Sequence, residues 1–134
     1  MRKILLPLMF ISSTAFADTA TDLRELVEQN LQHTEDEYVS AVMATMHPDS
    51  IAYLPTRQAL NQLFPLYDLQ YTLLEYHFVG EEGGYAYARV KQRTEKVNGP
   101  EFMDNDLEAL QVFRQHKGEW KFWSQANLSV QALN

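Results

Sequence analysis

A chain of 134 residues with 46 % hydrophobic and 12 % aromatic content carries enough apolar material for one packed domain and too much for a disordered segment. The absence of cysteine excludes a disulfide scaffold, a Cys-ligated zinc, an iron–sulfur cluster and a thiol nucleophile. The formal charge of −7, from 11 Lys+Arg against 18 Asp+Glu, argues against recognising nucleic acid or an anionic membrane by bulk charge.

Residues 1–17 read as an export signal. Arg2 and Lys3 form a basic start, Ile4 to Ile11 an apolar run, and Ala15-Phe16-Ala17 an A-x-A cleavage site. The apolar run is far shorter than the roughly 20 residues of a membrane span. The expectation is therefore cleavage after Ala17, a single domain over 18–134, and a periplasmic or secreted product with no membrane association. Losing Arg2 and Lys3 takes the 11 basic residues to 9 against the same 18 acidic ones, or −9 over 117 residues.

The exported part opens with helical periodicity. Leu23, Leu26, Val27 and Leu31 recur at helical spacing, which predicts an amphipathic helix from about Thr21 to Gln32. Thr34-Glu35-Asp36-Glu37 has the form of a capping box, which predicts a second helix starting there, with its acidic residues at the positive end of the helix dipole. That helix turns Tyr38, Val42, Met43 and Met46 towards a core and ends before Pro48. A third, short helix is expected with Thr56 as its cap and Leu60, Leu63 and Phe64 on its apolar face.

From Asp68 the period changes to 2. An early strand is expected from about Asp68 to Val79, with the orientation of Glu75 and His77 left open by an ambiguous loop at Glu81-Glu82-Gly83-Gly84. Asn98-Gly99 signals a two-residue hairpin turn, which places Arg89 opposite Glu108, Lys91 opposite Asp106 and Arg93 opposite Asp104. The other face of this hairpin, including Ala86, Ala88, Val90, Gln92, Asn105, Ala109 and Gln111, is then the buried one. A second tight turn at Lys117-Gly118 adds Trp120, Phe122, Ser124, Ala126, Leu128 and Val130 to the buried face and leaves Lys121, Trp123, Gln125 and Asn127 outside.

Helices followed by a long antiparallel meander with one dry face make an α+β arrangement, helices packed on the concave face of a curved sheet. With Met46-His47-Pro48-Asp49-Ser50 ending a helix and Gly118-Glu119-Trp120-Lys121-Phe122-Trp123 in the last hairpin, the chain resembles the nuclear transport factor 2-like superfamily, also called SnoaL-like or cystatin-like α+β cone proteins, as an exported bacterial member. The resemblance spans residues 18–134 and implies a cone-shaped fold. It is nearly silent on chemistry, because the superfamily hosts isomerases, dehydratases, epoxide hydrolases and members with no reaction.

Carried over residue by residue, the resemblance does not supply the steroid isomerase base: the position five residues beyond Asp49 is Leu54, followed by Pro55, and the place of the oxyanion tyrosine falls near Glu25. The Asp-Arg-Asp cluster of the epoxide hydrolases has no inward counterpart, since Arg89 and its acidic neighbours are expected outside. The His-Asp pair of the dehydratases has two candidate sources, His47 with Asp49 and His77 with Glu75. Each also has an ordinary structural role: Asp49 as a turn cap, His47 as a helix-end residue, and Glu75 with His77 as an exposed pair on a strand. His33, His47 and His116 lack zinc spacing, so no metal and no cofactor is expected.

The expected ligand-binding residues are Gln92, Asn105, Gln111, Phe113, Trp120, Phe122 and Ser124, sparse polar groups and aromatic rings on a concave, largely apolar face. Tyr85, Tyr87, Leu110, Val112 and Trp123 form an aromatic and apolar patch on the other face, which predicts a homodimer. With no carboxylate on the buried face of the three best-registered strands, the sequence favours a non-catalytic domain that binds a small apolar or amphipathic ligand. The alternatives are an isomerase, dehydratase or hydrolase using a His-carboxylate pair, and a protein-interaction module acting through the outer face.

Overall fold

A computed structural model describes residues 7–133, with side chains from Asp18 onward. The export-signal reading of residues 1–17 falls outside the described side chains. Three helices, α1 (Pro7–Glu35), α2 (Val39–Ala44) and α3 (Tyr53–Leu63), precede four strands, β1 (Asp68–Glu82), β2 (Tyr85–Asn98), β3 (Asn105–His116) and β4 (Glu119–Ala132). The strands form one antiparallel meander in the order β1-β2-β3-β4, with the helices against one face.

The apolar stripe of α1 behaves as its spacing requires: Leu23, Leu26, Val27 and Leu31 are buried against Ala86, Ala88, Val90, Ala109 and Phe113 of the sheet. Small residues on β2 let the helix approach closely, and Tyr71, Leu73, Tyr76 and Phe78 of β1 close the side of this core. The Tyr76 hydroxyl donates to the carbonyl of Ala20 at 2.7 Å, tying β1 to the start of the packed part of α1. A second cluster joins Val42 and Met43 to Leu60, with Met46 bordering both cores.

The expected capping box at Thr34 does not form. The Thr34 hydroxyl donates back to Asn30 O at 2.6 Å, and the segment closes a helix. Glu37 adopts φ 59°. Its N–H reaches Thr34 O while the Tyr38 N–H reaches His33 O, the paired bonds of a Schellman ending. Tyr38 lies edge-on to His33 with ring centroids 6.5 Å apart and is exposed, not part of the core. Thr-x-x-Glu can thus serve either end of a helix, and α1's buried stripe extends the helix through it. The helix α2 stops at Ala44, short of Pro48, and α3 begins at Tyr53 with Ala52 as its N-cap, so Thr56 is internal.

The β2–β3 register differs from expectation by two residues: Arg89 lies opposite Leu110, Lys91 opposite Glu108 and Arg93 opposite Asp106. The connection is a wide loop, not a two-residue turn. Asp104 accepts the Lys96 N–H with its carboxylate at 2.8 Å, and Lys96 Nζ donates to the carbonyls of Gly99 and Pro100. Gly99 is pressed on the segment after α3, where a Cβ would lie 2.6 Å from Leu66 O, and the Tyr67 ring packs tilted against Phe102 with centroids 5.6 Å apart. A shift of two preserves the alternation, so the buried face is the expected one. Charge pairing survives in altered form: Arg93 grips Asp106 through two bonds at 2.8 and 3.1 Å, and Arg89 meets Glu108 diagonally at 3.6 Å.

At Lys117-Gly118 both residues have positive φ, as a tight primed turn needs, and the pairs from His116–Glu119 to Phe113–Phe122 follow expectation. Beyond them β4 carries two bulges. Trp123 is the extra residue between Phe113–Phe122 and Val112–Ser124, and Leu128 is the extra residue between Ala109–Asn127 and Glu108–Ser129. The first bulge reverses the expected faces: Gln125 and Asn127 stand opposite Gln111 and Ala109 on the concave side, while Ser124 and Ala126 stand opposite Val112 and Leu110.

The first bulge lies where the chain after α2 docks on β4. Thr45 O accepts the Phe122 N–H and the His47 N–H donates to Phe122 O, both at 2.9 Å, and the Ser50 hydroxyl donates to Trp123 O at 2.6 Å. These bonds take backbone groups that a regular edge strand would leave unpaired.

Candidate functional site

Between α1, the α2–α3 segment and the bulged part of β4 lies a cavity of about 270 Å³. Its walls are Asn30, Met46, Ala52, Thr56, Gln111, Phe122, Trp123, Ser124 and Gln125, none of which carries an acid, base or permanent charge. Asn30 reaches it from the helix because it occupies a position of the apolar stripe, one turn beyond Leu26 and Val27. Its Nδ2 donates to Thr45 Oγ1 at 2.9 Å, and that hydroxyl donates to Val42 O.

On the sheet side the bulge sets up a relay of amides. Gln111 Nε2 donates to Gln125 Oε1, and Gln125 Nε2 donates to Asn127 Oδ1, each at 2.9 Å. Gln111 is 95 % buried, from an exposure of 5 %. Its Oε1 is fully enclosed and receives no hydrogen bond among the described residues. A buried acceptor left in this state costs about 1–3 kcal/mol unless something donates to it.

Of the expected ligand-binding residues, Gln111, Phe122 and Ser124 line this cavity. The structure places the others elsewhere. Phe113 is sealed in the core, its ring 4.9 Å from that of Phe122. Trp120 borders a separate, open groove with Asp22, Glu25 and Glu119. Gln92 sits between Leu73 and Leu107, and Asn105, bonded to Met103 O, lies at the far end of β3.

Asn30, Met46, Ala52, Thr56, Trp123 and Gln125 were missed by the sequence reading. Asn30 had a visible signal, an amide inside an apolar stripe. Gln125 had none, since only the bulge turns it inward.

The catalytic candidates are outside the cavity. Glu75 and His77 lie 3.6 Å apart on the solvent side, opposite Lys91 and Arg89, and both side chains are about half exposed. This orientation follows from the packing of the half-buried Tyr71, Leu73, Tyr76 and Phe78 against the core on the other side of β1. His47 is buried, but its ring packs against His116 and Trp123 at 5.1 and 5.0 Å. Its Nδ1 accepts the N–H of Asp49 at 3.1 Å, so the imidazole caps the turn and the exposed Asp49 carboxylate does not. Ser50 shares that work: its Oγ accepts the Ala52 N–H.

Two half-buried phenols, Tyr71 and Tyr76, are pushed up to about 12. Burial is the main cause in both, with Glu37 and Glu35 adding to it at Tyr71. Neither is poised as an acid near neutral pH. No group of three or more acidic or histidine side chains among the described residues is arranged to hold a metal ion.

On the outer face the expected patch is brought together around Arg114. Its guanidinium lies 5.4 Å over the Tyr85 ring and 4.9 Å over the Trp123 ring, and those rings are 6.4 Å apart. Tyr87 and Val112 are direct cross-strand neighbours on this face, and Leu110 lies opposite Arg89 beside them.

The fold is shared with solved structures at low identity. A candidate aromatic ring hydroxylase from Novosphingobium aromaticivorans superposes with TM-score 0.74 at 12 % identity, over 87 % of this chain and 94 % of that one. A candidate dehydratase of the NTF2-like family from Streptomyces avermitilis gives 0.67 at 14 %, over 81 % and 94 %. A protein of unknown function with a cystatin-like fold from Nostoc punctiforme gives 0.64 at 13 %, over 80 % and 87 %. At such identities these establish the NTF2-like, cystatin-like α+β fold alone. No curated protein matches the chain. A family model does, over residues 25–133, which takes in α1 from Glu25 and the whole sheet, and the chain therefore belongs to the family of the C-terminal domain of anti-sigma-I factor RsgI9.

Proposed function

We propose that the chain is an exported, non-catalytic binding domain that holds a small amphipathic molecule in the cavity between the helices and β4. The carrying observation is the chemistry of the walls: apolar and aromatic surface with a few neutral amides and hydroxyls, and no titratable group. General acid–base catalysis needs such a group within about 3 Å of the reacting atom, and the nearest candidates from the sequence point elsewhere. The names of the hydroxylase and dehydratase neighbours speak for those proteins. The family's name, the C-terminal domain of a regulator, suits a domain that binds better than one that turns over.

Export rests on the character of residues 1–17, and a cut after Ala17 leaves in place the apolar stripe Leu23, Leu26, Val27 and Leu31 that packs on the sheet. Among the described helices none is long and apolar enough to cross a membrane. The Tyr85–Arg114–Trp123 stack favours a second role for the outer face, pairing with another copy of the chain.

Purified residues 18–134 should bind small neutral amphiphiles saturably in calorimetry, and Ala52→Trp, which fills the cavity, should abolish the binding while the fold persists by circular dichroism. Turnover of a hydroxylated substrate that survives Ala52→Trp, or binding untouched by it, sinks the reading. Sedimentation at high micromolar concentration addresses the outer face: a monomer there removes the homodimer.

A further inference from the structure

We infer that His47 is an acid-operated latch beside the cavity: as the neutral imidazole it holds residues 47–52 on the β4 bulge, and as the imidazolium it releases them. The latch belongs to the fold and needs no ligand; its effect on binding rests on the cavity reading above.

The docked turn admits one protonation state of the ring. The Asp49 N–H donates to His47 Nδ1 at 3.1 Å, so that nitrogen carries a lone pair and the ring proton is on Nε2. An imidazolium has N–H at both nitrogens, and two donors would then face each other. The bonds that dock the turn lie on either side of this contact. The His47 N–H donates to Phe122 O at 2.9 Å, the Ser50 hydroxyl donates to Trp123 O at 2.6 Å, and the Ala52 N–H donates to Ser50 Oγ at 3.0 Å.

The surroundings oppose a charge on the ring. His47 is buried against Trp123 and His116, with centroids 5.0 and 5.1 Å away. The titratable and charged groups of the neighbouring elements are His116 and Arg114 on β3, Lys121 and Glu119 on β4, Tyr85 on β2, and Asp49 on the turn itself. Arg114 stacks on the same Trp123 ring at 4.9 Å, Glu119 is paired with Lys121 at 3.5 Å, and Asp49 is exposed. Among the described residues no carboxylate forms an ion pair with His47. A second ring proton therefore places an unpaired charge in a buried site, whereas water solvates it once the turn lifts off. Histidine changes charge between about pH 5 and 8. The lifted turn takes up the extra proton and the docked one does not, so docking is complete at the upper end of that range and fades as pH falls.

Lifting the turn opens the cavity, because Ala52 and Thr56 line its helical side and Trp123, Ser124 and Gln125 its strand side. Val42, Met43 and Leu60 form a cluster of their own, which keeps α2 and α3 packed on each other.

The test is amide exchange by nuclear magnetic resonance on the wild-type chain and on His47→Asn, with rates corrected for intrinsic exchange. An asparagine oxygen accepts the N–H two residues on, a turn favoured before proline, and takes up no proton. Between about pH 7.5 and 5, protection of the Asp49, His47, Phe122 and Ala52 amides should fall about tenfold or more in the wild type, while Leu26 and Val27 hold, and should stay level in His47→Asn. Binding of 4-propylphenol, neutral throughout this range, should weaken in parallel in the wild type alone. Protection that does not change with pH overturns the latch, and so does a fall that persists in a folded His47→Asn. In the wild type the ring-nitrogen resonances of His47 should follow the same pH course as the Asp49 amide, and a different course also overturns it, whatever the variant's stability. Loss of protection without binding of the phenol at either pH supports the latch and counts against the cavity reading.

Discussion

The two halves of the concave face use the same sheet differently. Under α1, Leu23 and Val27 pack against Val90 of β2 and Phe113 of β3, all at or below 1 % exposure. Towards β4 the helical cover passes to the chain after α2, Gln111 replaces an apolar side chain, and a cavity remains. The dry half is what close packing alone produces. The other half is lined by amides and hydroxyls that bond one another, Asn30 to Thr45 and Gln111 to Gln125 to Asn127, so the first half is the packed core and the second holds the candidate site.

That contrast predicts a graded set of responses. Phe113→Ala should be the most damaging, costing about 3–5 kcal/mol, because a sealed core cannot refill the space; chemical denaturation measures it, and a loss under about 1 kcal/mol would mean the two halves do not differ. Ser50→Ala removes the hydroxyl that donates to Trp123 O and accepts from Ala52. It should cost about 1–2 kcal/mol and, by amide exchange, speed opening at the β4 bulge while leaving α1 protected.

Gln111→Met should cost less than about 1 kcal/mol despite its burial, since the lost bond to Gln125 is offset by removing an unpaired acceptor. A penalty as large as that of Phe113→Ala would place Gln111 in the structural core. The smallest effect concerns neither half. Arg93 beside Asp106 holds that carboxyl below its ordinary value, the hydrogen bond leading and charge attraction adding to it. The stabilisation is therefore present above the ordinary value of 3.8 and disappears as pH falls through the lowered one. Asp106→Asn should flatten the acid limb of the stability profile and change little at neutral pH.

Much of the dry half was legible in the residues themselves. The stripe Leu23, Leu26, Val27 and Leu31 and the alternation of Ala86, Ala88 and Val90 state their own faces, because burial of one face leaves a period in the chain. The site was legible only in part. Gln111 stood out as an amide on a buried face, and Asn30 sat in an apolar stripe for anyone who weighed it. Gln125 and Asn127 were assigned to the outer face, since a bulge of one residue at Trp123 reverses the alternation after it until the next. The Thr34–Glu37 segment misled for a different reason: its residues suit a helix start as well as an end, and the neighbouring stripe decides between them.

The amino-acid sequence by itself determined which residues avoid water, the change from helical to strand period at Asp68, and the tight turn at Lys117-Gly118, all consequences of side-chain chemistry and local backbone preference. Register and cavity were decided by tertiary structure. The Asn98-Gly99 signal yielded to the packing of its loop on Leu66 and Tyr67, and β4 bulged where Thr45, His47 and Ser50 took hydrogen bonds from its edge. Both outcomes depend on backbone groups brought together from distant parts of the chain, and every residue type offers the same N–H and C=O apart from proline.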